Sequence, residues 1–252
     1  MQLDRQRLTR EVERVHTRYQ TEVVEAFSFC PWAKEARMNG HVAKVVSFQR
    51  TPDAVEALQQ IDAALAVPAT EVAMLIFPLL ALSRLEFAHF VADIRAADET
   101  RSTRGDQHFA LADFHPQAAA DCRTAEVLVP FLRRAPDPMI QVVRTQVLAH
   151  VRGSEQGTSY IDPSQLALYA LGGIDALPAT PPSVGARVAE HNHRTVQRIG
   201  ADHIEAVLRA ISADRTRSYT ACGISATTLA YMEDMYGPVT RNKLEKTSVQ
   251  DG

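Results

Sequence analysis

Leu8, Val12, Val15, Tyr19 and Val23 recur at three- and four-residue steps, with Arg and Glu on the opposite face, and predict one long amphipathic helix over residues 3–27. A short helix is predicted from Pro31 to Met38, with Cys30 as its N-cap and Gly40 just past its end. The pattern then shortens to strand length in HVAKVVSFQ, residues 41–49. A helix follows with Thr51 as cap and Pro52 at its first position. EVAMLIF, residues 71–77, is apolar throughout, as in a strand covered on both faces. Ser83 and Glu86 stand at capping-box spacing and open the next helix. HFALADFH, residues 108–115, reads as a third strand stopped by Pro116, and MIQVVR, residues 139–144, as a fourth.

Beyond residue 150 the pattern becomes helical and interrupted. VRGSEQGTSYIDP is loop-like, and Asp162 with Gln165 caps a short helix ending at Gly172-Gly173. ALPATPPS is a proline-rich connector. Two helices follow, the second capped by Asp202 with Glu205 three residues on. A last helix from about Ser225 to Tyr236 stops at Gly237-Pro238, before a tail that reads as frayed. The fold class expected is α/β of the α+β kind: a small mixed sheet of about four strands packed with helices, plus a helical C-terminal extension. Residues 1–150 would form the core with its N-terminal helix, and residues 151–252 an extension packed on it.

Composition narrows the function classes. The 252 residues are 46% hydrophobic and 23% charged, with 27 basic against 30 acidic side chains and a formal net charge of -3. No basic footprint points to nucleic acid, and no basic run points to a membrane surface. The first residues are charged, and the longest apolar run, VAMLIFPLLAL, is far too short to span a bilayer, so a cytoplasmic protein is expected. Its three cysteines, Cys30, Cys122 and Cys222, are widely separated, which suggests neither a disulfide framework nor a zinc knuckle.

Cys30 is the first candidate for chemistry. At a helix start its sulfur would meet unpaired N–H groups and the positive end of the helix dipole, with Lys34 and Arg37 adding charge; all of these favour the thiolate. The competing reading is a small buried hydrophobe packed among Phe27, Phe29 and Trp32. His115, at the carboxyl end of the third strand, is a candidate general base, metal ligand or haem ligand, with Asp113 available to orient it. It reads equally as a histidine satisfied at a loop edge. Arg133, Arg134 and Arg144 can clamp a carboxylate or phosphate, though such arginines are more often solvated. His191 and His193 are two apart on a helix and point in different directions, yet either could meet His115 across a pocket. Glycine-rich nucleotide loops, zincin motifs and the nucleophile elbow are missing from the sequence.

FCPWAKEARMNGHVAKVVS, LADFHP, RRAPDPMIQVVR and HNHRTVQRIG follow the order and spacing of an uncharacterised bacterial family, domain of unknown function 1415, which the chain resembles over about residues 10–210. The resemblance places Cys30, His115, Arg134 and Asn192 on family motif positions and strengthens a site role for Cys30 and His115. The chain also departs from that pattern. Phe77-Pro78 stands where the family has His-Pro, Gln117-Ala118 replaces Asp and an aromatic, Asp137 replaces Tyr, and His193 takes an apolar position.

Together these features lead to an expected small-molecule-converting enzyme, a haem- or non-haem iron-dependent oxidoreductase, with a pocket around His115 and Cys30. His115 and His193 would be the metal ligands, and Arg134, Arg144 and Asn192 would bind substrate. One alternative is a thiol-dependent hydrolase or transferase with Cys30 as nucleophile and His115 as base. Another is a non-catalytic binding or assembly protein using the N-terminal helix and C-terminal extension as surfaces. No nucleic-acid or membrane partner is expected, and a homo-oligomer is compatible with these surfaces.

Overall fold

The computed structural model describes residues 3–101, 109–154, 184–237 and 241–242. Four strands form one mixed sheet: β1 (Val42–Val46), β2 (Val72–Ile76), β3 (Phe109–Phe114) and β5 (Met139–Arg144), in the order β1-β2-β5-β3. β1 and β2 are parallel, whereas β5 runs antiparallel to both β2 and β3. The carboxyl ends of β1, β2 and β3 therefore share one edge of the sheet with the start of β5. The expected α+β architecture is present.

Side-chain alternation divides the core between the two faces of the sheet. Ala73, Leu75, Ile140 and Val142 pack with α3 (Ala54–Leu65) and α4 (Arg84–Arg101), where Phe77, Phe87 and Phe90 form edge-on and tilted ring contacts. Ile76 and Met139 face the other way, toward α1 (Arg5–Tyr19) and the C-terminal helices. Those helices are α7 (Val184–Ile199), α8 (Ala201–Ala221) and α9 (Ala226–Tyr236). Ile204, Ile211, Tyr219 and Leu229 join Leu8, Val12 and Val15 in a single cluster, so the C-terminal helices share a core with α1.

Several boundaries differ from the pattern. The long N-terminal helix is α1 followed by a π-helical segment, Gln20–Glu25, that a 3.6-residue reading does not distinguish. α2 is only Ala33–Met38, because Trp32 rather than Cys30 is its N-cap residue. α3 begins later than expected: Asp53 caps it, accepting the Glu56 N–H at 3.0 Å, and Thr51-Pro52 stay outside. At α8, Gly200 with φ 90 precedes the first turn and Asp202 lies inside it, so no side chain caps that end. α6 (Thr145–Ser154) takes the first residues of the segment read as a loop. The supposedly frayed Arg241–Asn242 forms β6, paired with β4 (Ala120–Asp121), while α5 (Val129–Leu132) precedes the turn into β5. The helix ending at Gly172 and the proline-rich connector lie outside the described residues.

The capping box at the start of α4 forms as expected. Ser83 N–H donates to Glu86 Oε2 at 2.8 Å, and Glu86 N–H donates to Ser83 Oγ at 3.3 Å. Ser83→Ala is expected to cost about 1 kcal/mol in urea unfolding. A stability unchanged within error would mean that solvent serves the helix end equally well.

Candidate functional site

The carboxyl edge of the parallel strands, where ligands commonly sit in open α/β sheets, carries a buried polar cluster centred on Asp137. The 133–138 turn crosses this edge and is tied to it by backbone bonds: His115 N–H donates to Arg133 O at 3.0 Å and Phe77 N–H to Pro138 O at 2.9 Å. Asp137 is wholly buried, yet three donors reach its carboxylate. His16 Nε2 lies 3.0 Å from Oδ2, Tyr219 Oη donates to Oδ2 at 2.6 Å, and Arg215 Nε donates to Oδ1 at 2.6 Å. The Arg215 guanidinium also stacks over the Tyr219 ring at 4.9 Å.

Burial would favour a neutral acid at position 137, but the Arg215 charge and the His16 and Tyr219 contacts outweigh it and hold the carboxyl well below the usual range. Asp137 is therefore ionised, and His16 donates to it through Nε2–H. Burial pushes both Tyr219 and Tyr236 up, so these phenols stay protonated. Three buried polar atoms here have no hydrogen-bond partner: His16 Nδ1, Arg215 Nη2 and Tyr236 Oη. Buried polar groups are rarely left so.

The sequence-level candidates are distributed around this cluster. His115 is buried at the same edge, with its ring 5.2 Å from that of Tyr236. Gln117 N–H donates to its Nδ1 at 3.2 Å, so Nε2 carries the proton, 3.0 Å from Leu82 O. Desolvation is the main reason its pKa is lowered to about 4. Asp113, expected to orient this imidazole, instead pairs with Arg133 at 3.6 Å.

Cys30 is only partly buried, and its sulfur accepts from the backbone N–H groups of Trp32 and Ala33. Desolvation overrides those contacts and raises the thiol pKa, the reverse of what its position in the sequence implied. Nor is Arg37 free to help, since it makes a bidentate pair with Glu25 at 2.7 and 2.9 Å. Alkylation with iodoacetamide should label Cys30 before the buried Cys122 and Cys222, with a midpoint above the ordinary thiol pKa of about 8.5. A midpoint below that value, followed by mass spectrometry across pH, would show that the helix end dominates after all.

Arg134 pairs with Glu205 on α8 at 3.2 Å. Arg144 donates from Nε to Thr70 O at 2.6 Å and from Nη2 to Leu65 O, so it ties the end of α3 to the following loop. Asn192 is buried and donates to Phe29 O at 3.0 Å, beside Cys30. His193 Nε2 lies 3.2 Å from Cys122 O, while His191 is exposed. Asn192 and Cys30 thus lie on neighbouring segments, and no hydrogen bond or ion pair among the described residues joins Cys30 to His115.

His115 has both ring nitrogens engaged. Among the described residues no group of three or more His, Cys, Asp and Glu side chains is placed to hold a metal ion. His115 therefore has no open ring nitrogen to offer the iron or haem centre expected of it. Sequence reading missed His16, Arg215, Tyr219 and Tyr236. The one available signal was Asp137, a carboxylate where the resembled family has Tyr.

No helix among the described residues is long and apolar enough to cross a membrane. The family described as "Protein of unknown function (DUF1415)" matches residues 11–165, more than half of the chain, and the chain belongs to that family. The match includes His16, His115 and Asp137, but Arg215, Tyr219 and Tyr236 come from beyond it, as do Asn192 and His193. No curated protein matches the chain, and no solved structure matches it.

Proposed function

We propose that this member of the DUF1415 family is an enzyme that converts a small molecule by proton transfer, with its chemistry at the buried cluster around Asp137. The observation that carries this reading is the unpartnered Nδ1 of the buried His16, whose imidazole is fixed from the other side by an ionised carboxylate. That pairing sets the tautomer of a general base and stabilises the imidazolium formed when the base takes a proton. His16 Nδ1 accepts the substrate proton, and Asp137 stays ionised throughout. Arg215 Nη2–H and the Tyr236 hydroxyl, both buried and without partners, are the donors this reading has for the charge left on the substrate. Tyr219 holds the carboxylate in place and is a positioning residue.

The test is incubation of the protein with a small-metabolite extract in D2O, followed by mass spectrometry. At least one metabolite should gain deuterium or be consumed with the wild type and not with His16→Asn. Equal change with both proteins, or none with the wild type, defeats the reading.

A second reading, thiol chemistry at Cys30, draws on the partial exposure of that thiol and the two N–H groups at its sulfur. The same extract treated with Cys30→Ser separates the two, because proton transfer at His16 does not need the thiol.

A further inference from the structure

We infer that α9 (Ala226–Tyr236) is a lid over the Asp137 cluster, which swings out from a joint at Gly223 while the rest of the core stays folded. The opening itself is a property of the fold and is tested without any activity. Its meaning as a gate rests on the reading of the cluster as the functional site.

The cluster is closed. His16, His115, Asp137, Arg215, Tyr219 and Tyr236 are each no more than 3% exposed, so a molecule reaches them only if an element moves. α1 and α8 are pinned to one another. They share the buried Asp137 carboxylate through His16, Arg215 and Tyr219, and Asp214 on α8 ties them again through Arg14 at 2.7 Å and Arg18 at 2.6 Å. α9 is held by less. Of its eleven residues Leu229, Met232 and Tyr236 are buried, while Tyr231 is 57% exposed. Among the described residues, one side-chain hydrogen bond joins it to another helix, from Thr216 Oγ1 to Glu233 Oε1 at 3.5 Å. Few buried contacts mark the parts of a fold that open first.

Tyr236 is the latch. Its ring stands edge-on to His115 at 5.2 Å, and it is near enough to Arg215 to feel the guanidinium charge. Its buried hydroxyl has no partner, a penalty on the closed position that water would lift in the open one. Glycines stand at both ends of the lid: Gly223 with φ 102 before it, and Gly237 with φ 78 and ψ 176 after it. The second is a conformation that only glycine adopts readily. A Cβ at Gly237 would meet nothing within 4 Å, so Gly237→Ala strains the backbone without a clash. Further on, Arg241–Asn242 (β6) pair with Ala120–Asp121, which fastens the chain beyond the lid by a two-residue strand.

The experiment uses the full chain and reads the opening in two ways. Once detached, a helix this short does not keep its own hydrogen bonds in water, so opening exposes all its amides together. In hydrogen exchange followed by NMR, the amides from Leu229 to Tyr236 should share one rate, at least about tenfold faster than those of α8. In nitration with tetranitromethane, the exposed Tyr231 should react first, Tyr236 next, and Tyr219 on α8 only on global unfolding. Gly237→Ala should speed α9 exchange and Tyr236 nitration by about tenfold, the effect of one such strained position, and leave α8 and Tyr219 unchanged. Exchange of α9 at the rate of α8 overturns the lid. So does a gradient of rates rising toward Tyr236, which is fraying of a helix end, and so does a Gly237→Ala protein that matches the wild type in both readouts. A lid that opens in a protein failing the deuterium test with the metabolite extract would overturn only the catalytic reading. A protein that passes that test while α9 exchanges with α8 would overturn only the lid.

Discussion

Asp137→Ala is expected to lose about 3–5 kcal/mol of stability, the cost of leaving a buried charge without its partner. Arg215, only 1% exposed, would keep its guanidinium in the core with no counterion, and His16 Nε2 and Tyr219 Oη would lose their acceptor at the same time. Replacing both charges, as in Arg215→Met with Asp137→Leu, should recover most of the loss, because desolvation is then no longer paid by either ion. Urea unfolding followed by far-UV circular dichroism measures both variants and the single substitutions Arg215→Met and Asp137→Leu. Additive single losses would refute the pairing, since a direct contact should show coupling of up to about 3 kcal/mol. The pH dependence has a definite sign. Asp137 is held below its unfolded value, so its contribution is full above the ordinary carboxyl pKa of about 4 and is lost as pH falls below it.

His115 should give the second large effect, in a higher pH window. Its folded pKa is about 4 against an ordinary 6.5, because the buried imidazole cannot take a charge cheaply. As pH falls through 6.5 the unfolded chain binds a proton that the folded chain refuses. Stability therefore drops until the folded imidazole itself titrates near 4, by a total of about 3 kcal/mol. The wild type should lose stability across this window, and His115→Gln should show a flatter profile there. Parallel profiles for the two proteins would mean that His115 titrates normally and that the bonds to Leu82 and Gln117 do not hold it neutral.

The two effects bear on function as well as stability. His115 kept neutral, with both nitrogens engaged, supports the wall of the cluster rather than acting as its base. In the proposed reading the base is His16, one nitrogen of which contacts the Asp137 carboxylate while the other has no partner. The match to the family ends at residue 165, so the chain completes this cluster with Arg215, Tyr219 and Tyr236 from helices beyond the matched region.

The sequence by itself determined the elements whose signals are local. Periodicity marks α1, four apolar or alternating runs mark the four strands of the sheet, and Ser83 with Glu86 announces the capping box that opens α4. Caps are less certain where neighbours compete: Asp53 displaces Thr51 at α3, and Trp32 displaces Cys30 at α2, since backbone geometry decides which residue takes the half-turn. The four family motifs were also legible, and with them the positions of Cys30 and His115. Tertiary structure alone decided the chemistry around them. Cys30 meets two N–H groups, yet desolvation, which no local spacing encodes, raises its pKa. Asp137 is more than one hundred residues from His16 and nearly eighty from Arg215, and its three donors come from helices at opposite ends of the chain. Hydrophobic periodicity buries such helices but carries no record of which polar side chains meet across the core. Only the packing of α1 and α8 over the 133–138 turn brings a histidine, an arginine and a tyrosine to one carboxylate.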